Sequence, residues 1–448
     1  MNTPHTRGHR QLSGEDQQRP DSKHGSLRLA MLKLAGGNAV GKLAALIAIP
    51  VIARLYKPEH LGMLAAFSAL VALAATLSTL RYVCAIPLPR RDSTALVVTC
   101  LALIVLSIYT PVATATAYVV GPALLTYTSL SALIPYLPLI IAGTALTACH
   151  EILTLWATRK QQFGQLAVSQ AQQGLVGSVA KTLLGALQFK PLGLLLGHLL
   201  QLAGGNGPLI KSFATIANKN LRYVRRSRMR LVAAHFSEMP RYQLPSQFLT
   251  MATIHAPALL APRVFGLSGA GQLALALTAL SLPINLLANS MGNVYLAKIS
   301  IIGRKQPSQI MAITGEVTRT LVALVFLPTL ILLLAGPWLF EFIFGSTWRL
   351  AGEIAQILSV SMAFQFVSAP VAHALSVLRA QQLLLQLNAS RFLIVTGVFA
   401  SASLFGWSIK HVTVLYSALL CLHYMLSYGC MMQLIRKHAR AHNNDSCN

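Results

Sequence analysis

About twelve runs of roughly 20 apolar residues, each closed by a short polar turn, decide what this chain can fold into. They lie at 29–53, 61–86, 94–119, 133–158, 163–187, 191–210, 243–264, 270–296, 321–344, 350–377, 382–405 and 411–434. A hydrocarbon core about 30 Å thick takes about 20 residues of helix, so each run is long enough to cross a bilayer. No single water-soluble core could hide them: 54% of the 448 residues are hydrophobic and only 10% are charged. The chain therefore reads as all-α, a polytopic membrane protein of about 12 transmembrane helices with boundaries good to a few residues.

The formal net charge of +25 would point to nucleic acid in a soluble domain. Here it arises from scarce acids and from bases gathered between apolar runs, which is the signature of topology. One set of alternate loops and both tails hold Arg7, Arg10, Arg19, Lys23, Arg28, Arg90, Arg91, Arg159, Lys160, Lys298, Arg304, Lys305, Arg379, Arg436, Lys437 and Arg440. The densest cluster, at 211–241, belongs to the same set and contains Lys211, Lys219, Arg222, Arg225, Arg226, Arg228, Arg230 and Arg241. The opposite loops hold Arg54, Lys57, Lys190, Arg263, Arg349 and Lys410. Both termini are thus expected in the cytoplasm, with no nucleic-acid partner.

Six runs precede the central cluster and six follow it. An even number per half lets two similar bundles lie in parallel about an axis along the membrane normal, an arrangement used for alternating access. The expected division is a disordered cytoplasmic tail at 1–27, a six-helix bundle at 28–210, a basic linker at 211–241, a second six-helix bundle at 242–435 and a tail at 436–448. The linker reads as a cytoplasmic strap held against anionic membrane lipids, with capture of anionic glycolipid at the cavity mouth as a further hypothesis. The six cysteines form no C-x-x-C pair, and there is no catalytic triad, metal-ligand spacing or phosphate-cradling glycine loop. Neither a metal, nor another cofactor, nor an enzymatic activity is expected.

Ionisable groups at bilayer depth each need a partner, a snorkelling route or an aqueous cavity. Lys42 lies mid-span in the first run, one turn after Asn38, with Gly37 and Gly41 at small-xxx-small spacing on an adjoining face. It either faces a cavity or pairs with a neighbouring helix. Lys33 lies nearer the end, within snorkelling reach. Arg81, in Leu80-Arg81-Tyr82, meets either the cavity or the interface. Gln165, Ser169, Gln173, Gly177 and Lys181 recur every four residues, a stripe that must face protein or water. Ser281, Asn285, Asn289 and Asn293 repeat the spacing beside the helix breaker Pro283. Arg391 is deep in the eleventh run. Glu151 is either a proton-coupling group or the counter-ion of Lys42 or Lys181. The expected substrate-binding set is Lys42, Arg81, Lys181 and Arg391 with Asn38, Asn285 and Asn289, and Glu151 is the candidate for a coupling ion. Such a cationic, amide-lined cavity suits an anionic substrate rich in hydroxyls, such as a phosphorylated glycolipid, and does not suit a cationic drug.

The stretch Ile52-Ala53-Arg54-Leu55-Tyr56-Lys57-Pro58-Glu59-His60-Leu61-Gly62, followed by Leu80-Arg81-Tyr82 and Ala85-Ile86-Pro87-Leu88-Pro89, resembles the opening of the polysaccharide-biosynthesis and O-antigen flippase families. These belong to the multidrug/oligosaccharidyl-lipid/polysaccharide (MOP) exporter superfamily. Pro191-Leu192-Gly193-Leu194 and Pro240-Arg241-Tyr242-Gln243-Leu244-Pro245-Ser246 continue the pattern. The resemblance implies a two-lobed, twelve-helix flippase that moves undecaprenyl-pyrophosphate-linked oligosaccharide across a bacterial inner membrane for O-antigen, capsule or exopolysaccharide export. It would act beside a polysaccharide polymerase and export machinery. A multidrug extruder of the same superfamily would place acids in its cavity, and a membrane glycosyltransferase or polymerase would need carboxylates in a large outer loop.

Overall fold

The computed structural model describes residues 21–220, 224–302, 307–378 and 380–445. Arg7, Arg10, Arg19, Arg222, Arg304, Lys305 and Arg379 lie outside them, as do the side chains of Lys23, Arg28, Lys33, Asn38, Lys219, Asn285, Asn289 and Arg440. Among the described residues all regular structure is helical.

The first bundle holds α1 (Asp21–Leu55), α2 (Pro58–Ser78), α3 (Asp92–Val119), α4 (Gly121–Tyr127), α5 (Leu137–Arg159), α6 (Phe163–Ala186), α7 (Leu192–Gly204) and α8 (Asn206–Asn220). After α9 (Arg226–His235) the second holds α10 (Leu244–Pro283), α11 (Asn289–Ile302), α12 (Pro307–Phe344), α13 (Arg349–Val371), α14 (His373–Val377), α15 (Gln381–Phe405) and α16 (Ile409–Asp445). Helix extends into both segments expected as tails, and α8 and α9 occupy much of the expected linker. Lys and Arg are good helix formers, so basic composition alone does not mark a loop.

All twelve apolar runs fall on helices, and eight stretches of the described chain qualify as membrane spans by length and hydropathy. This is a multi-pass membrane protein. One qualifying stretch, Met239–Leu282, takes in the seventh run and the first half of the eighth, divided at Gly266 with φ 70° and ψ 176°. Only a residue without a Cβ enters that region cheaply. The runs on α1, α6 and α7 do not qualify: α6 carries the polar stripe and α7 has 13 residues. They are nonetheless packed against one another. A Cβ at Gly37, Gly41 or Gly174 would overlap the backbone of the facing helix, so the spacing of Gly37 and Gly41 is where α1 meets α6 most closely.

The second run ends earlier than its hydropathy indicates. Leu80 and Arg81 take left-handed backbone (φ 47° and 59°), and Tyr82–Ala85 follows as a 3-10 turn. The Arg81 side chain makes two contacts that offset this conformation, described below.

The two bundles meet along α2 and α10. A Cβ on Gly271 would strike the Pro58 carbonyl, and one on Gly62 the Leu267 carbonyl. At the same end Trp348, fully buried, donates from Nε1 to the Ala53 carbonyl at 2.8 Å, and Arg54 Nη2 donates to the Phe342 carbonyl at 3.0 Å. Arg263 donates to the Tyr127 carbonyl, its guanidinium 4.1 Å from the tyrosine ring centroid. This seal joins the C-terminal end of α1 and the N-terminal end of α16, so both described chain ends leave from the opposite face.

Candidate functional site

Below the seal lies a cavity of ≈ 390 Å³ between the bundles, walled by α1, α2, α6, α7 and α10. Its polar lining is Ser68, Ser178, Lys181, Gln201, His255 and Thr278. Among the described lining residues Lys181 is the one Lys or Arg, and none is a carboxylate. The rest of the wall is largely apolar, which strengthens whatever electrostatic contact the polar groups make.

Local sequence explains how Lys181 is held. The stripe on α6 faces α7: Ser169 Oγ donates to the Gly205 carbonyl at 2.7 Å, and a Cβ at Gly177 would meet Gln201 side-chain atoms at 2.7 Å. At the end of the stripe Lys181 Nζ donates to Gln201 Oε1 at 2.6 Å. Gly197 lets α7 come this near, since a Cβ there would lie 3.0 Å from the Lys181 amide nitrogen. Tyr56, within the stretch that carries the family resemblance, donates from its hydroxyl to the Lys181 carbonyl at 3.0 Å.

The other expected residues are not all gathered here. Lys42 is half-buried on α1 and lies on the face that lines the cavity through Ala45, Ile49 and Ile52, one turn farther from the seal. Asn38 lies a further turn back along α1. Arg81 and Glu151 are elsewhere. Arg81 Nη1 lies 2.8 Å from Glu151 Oε1, and its Nη2 lies 2.9 Å from Cys84 Sγ. Glu151 is therefore the counter-ion of Arg81, where the sequence reading offered Lys42 or Lys181. The left-handed turn after α2 swings the guanidinium to α5, which hydropathy does not reveal.

Arg391 is inside the second bundle, its guanidinium 5.6 Å from the Tyr424 ring centroid. Its Nε has no hydrogen-bond partner among the described residues. Arg391 is not among the described residues of the central wall, so the cationic groups divide between one cavity and two bundle interiors. Asn285 falls in a π-helical turn, Ile284–Ala288, that follows Pro283, and Asn289 opens α11. Proline removes the hydrogen bond an unbroken α-helix would need there.

Neither a protein-family model nor a curated protein sequence matches the chain. Solved structures do. A multidrug resistance MATE family transporter of the MOP superfamily, inward-facing, superposes with TM-score 0.72 at 14% identity over 92% of this chain and 99% of the other. The lipid II flippase MurJ, inward closed, gives TM-score 0.66 at 12% identity over 92% and 90%. A MOP superfamily transporter from Pyrococcus furiosus, described by a reverse polarity of its binding pocket, gives 0.58 at 13% identity over 93% and 97%.

The fold is that of the MOP transporters. The cavity lies between the two bundles of that fold. Sequence reasoning placed Lys181 but missed Gln201, Ser178, His255, Ser68 and Thr278. A signal for Gln201 was present: Gly193, Gly197, Gln201 and Gly205 recur every four residues on α7 and just beyond, matching the stripe on α6. His255 belongs to no such repeat, while Thr278 lies one turn before Ser281, the start of the second stripe.

Proposed function

We propose that the protein is a flippase that carries an undecaprenyl-pyrophosphate-linked oligosaccharide across a bacterial inner membrane by alternating access, for surface polysaccharide export. The observation that carries this reading is the central cavity: a lysine and a ring of amide, hydroxyl and imidazole groups, with no carboxylate among its described lining residues. An ammonium held in a largely apolar wall favours an anion, because its charge is poorly compensated by water there. A diphosphate would accept from Lys181, and sugar hydroxyls would exchange hydrogen bonds with Gln201, Ser178 and Thr278. No covalent step is needed. The polar headgroup cannot cross the hydrocarbon core unaided, and a polar cavity that opens alternately to each side lowers that barrier.

Orientation follows from the bases. At the sealed end Arg349 pairs with Glu341 at 3.3 Å and Lys410 with Glu353 at 2.7 Å, which balances much of the charge there. The opposite face carries Arg90, Arg91, Arg159, Lys160, Arg225, Arg226 and Arg230 against few acids. By the positive-inside rule that face is cytoplasmic, and the cavity is then sealed toward the periplasm and poised to receive substrate from the cytoplasmic leaflet. A multidrug extruder handling cations is the weaker reading, since nothing acidic lines the described cavity. Deleting the protein from its host should strand lipid-linked units on the cytoplasmic side. Normal surface polysaccharide in a clean deletion with no paralogue would refute this function.

A further inference from the structure

A second, more open concavity of ≈ 560 Å³ lies between α9 and the loop that joins α2 to α3 and shares no residue with the central cavity's lining. Arg90, Arg91 and His235 supply its charge and polarity, and Leu88, Leu231 and Phe236 its apolar surface. The loop is held in place from beneath. Arg159 donates from Nη1 to the Pro87 carbonyl at 3.3 Å and to the Pro89 carbonyl, and from Nη2 to the Arg90 carbonyl at 3.3 Å. Arg159 also pairs with Asp92 at 3.1 Å, and Lys160 pairs with the other Asp92 oxygen. The carboxylate next in sequence to Arg90 and Arg91 is therefore already engaged by two other bases.

The facing wall is equally fixed. Tyr82 donates to the Ala233 carbonyl at 3.4 Å, and Val232, Ala233 and Phe236 pack on the cluster around Val83 and Leu96. This arrangement leaves Leu231 72% exposed and Leu88 59% exposed on either side of the groove. Residue 91 immediately precedes the membrane span Asp92–Val119, so the groove lies at the level where headgroups meet acyl chains. Two guanidinium groups beside two exposed leucines at that depth complement a phosphate and the upper part of a fatty chain.

We propose that this groove binds one anionic phospholipid of the surrounding bilayer, with Arg90 and Arg91 on the phosphate and Leu88 and Leu231 on the acyl chain. The site is separate from substrate transport and does not depend on what the central cavity carries. Because α9 packs on the first bundle and its chain continues into the second, a lipid seated here braces the strap against the first bundle.

The test uses the full chain in neutral detergent, titrated with phosphatidylglycerol or phosphatidylcholine and read by native mass spectrometry. The first phosphatidylglycerol should bind about tenfold more tightly than phosphatidylcholine, and the R90Q/R91Q variant should remove that preference. The L88Q/L231Q variant keeps the charge and should weaken phosphatidylglycerol about threefold or more. A control, R436Q/K437Q, should stay within about twofold of wild type. Equal binding of the two lipids, an equal loss in the control, no loss in L88Q/L231Q, or displacement of the lipid by an equal concentration of inorganic phosphate would each overturn the proposal. Should R90Q/R91Q elute as aggregate, L88Q/L231Q and the lipid comparison in wild type still decide it.

Discussion

Lys181 Nζ donates to Gln201 Oε1 at 2.6 Å across the α6–α7 contact, at the wall of the cavity between the two bundles. The pair fixes the direction of the ammonium group without neutralising it. In the proposed function, an incoming anion would meet a charge already aimed.

Removing that charge should reduce transport with little effect on folding. Lys181→Ala forfeits a charge-assisted contact worth about 1.5–3 kcal/mol, or about 10- to 100-fold in transport rate at limiting substrate. Gln201→Ala leaves the charge but not its direction and should cost about threefold to tenfold. Complementation of a deletion strain, with membrane-inserted protein quantified, checks both.

The Arg81–Glu151 pair is a matter of stability. Its side chains are 13% and 32% exposed, so breaking it by Glu151→Ala should cost about 2–3 kcal/mol, below the range for a fully buried pair. Arg81→Met with Glu151→Leu should recover most of that loss. Thermal melting in detergent reads the stability. Were Glu151 the coupling group, Glu151→Gln would abolish gradient-driven transport while melting stayed normal.

The seal depends on the absence of two side chains. Gly271→Val places atoms where the Pro58 carbonyl lies, and should hold the two bundles apart at that end. In a cysteine-free background, a cysteine at Ile52 should then be labelled from the sealed side by a membrane-impermeant thiol reagent about tenfold faster than in the parent.

Trp348 offers a milder lever on the same equilibrium. Trp348→Phe keeps most of the buried ring but loses the bond to the Ala53 carbonyl, about 1 kcal/mol, so the Ile52 cysteine should be labelled about threefold to sixfold faster. An unchanged rate would separate this hydrogen bond from closure.

Hydropathy made the spans legible, because solvent acts on every residue of a run and its message is repeated twelve times over. Gly266 falls between the seventh and eighth runs, so that break was legible too; the left-handed turn at Leu80 and Arg81, inside the second run, was not. The cavity was half legible. Lys181 stood out because a four-residue stripe led to it, and the stripe does face the neighbouring helix. Arg81 was open between cavity and interface, and Arg391 was deep in its run, but neither position says which side of a helix meets which neighbour. Arg81 turned inward through a left-handed residue to a partner 70 positions away, a separation that no local pattern encodes. His255 reached the cavity because α10 crosses to the first bundle, a consequence of tertiary packing alone.

The most direct measurement is translocation of a defined undecaprenyl-pyrophosphate-linked oligosaccharide in proteoliposomes containing the purified protein, scored by access of the sugar to an impermeant modifying enzyme. Wild type should move the lipid between leaflets, and Lys181→Ala at equal incorporation should move it at least about tenfold more slowly. No movement by correctly inserted wild type, or equal movement by wild type and Lys181→Ala, would contradict a flippase built around this cavity.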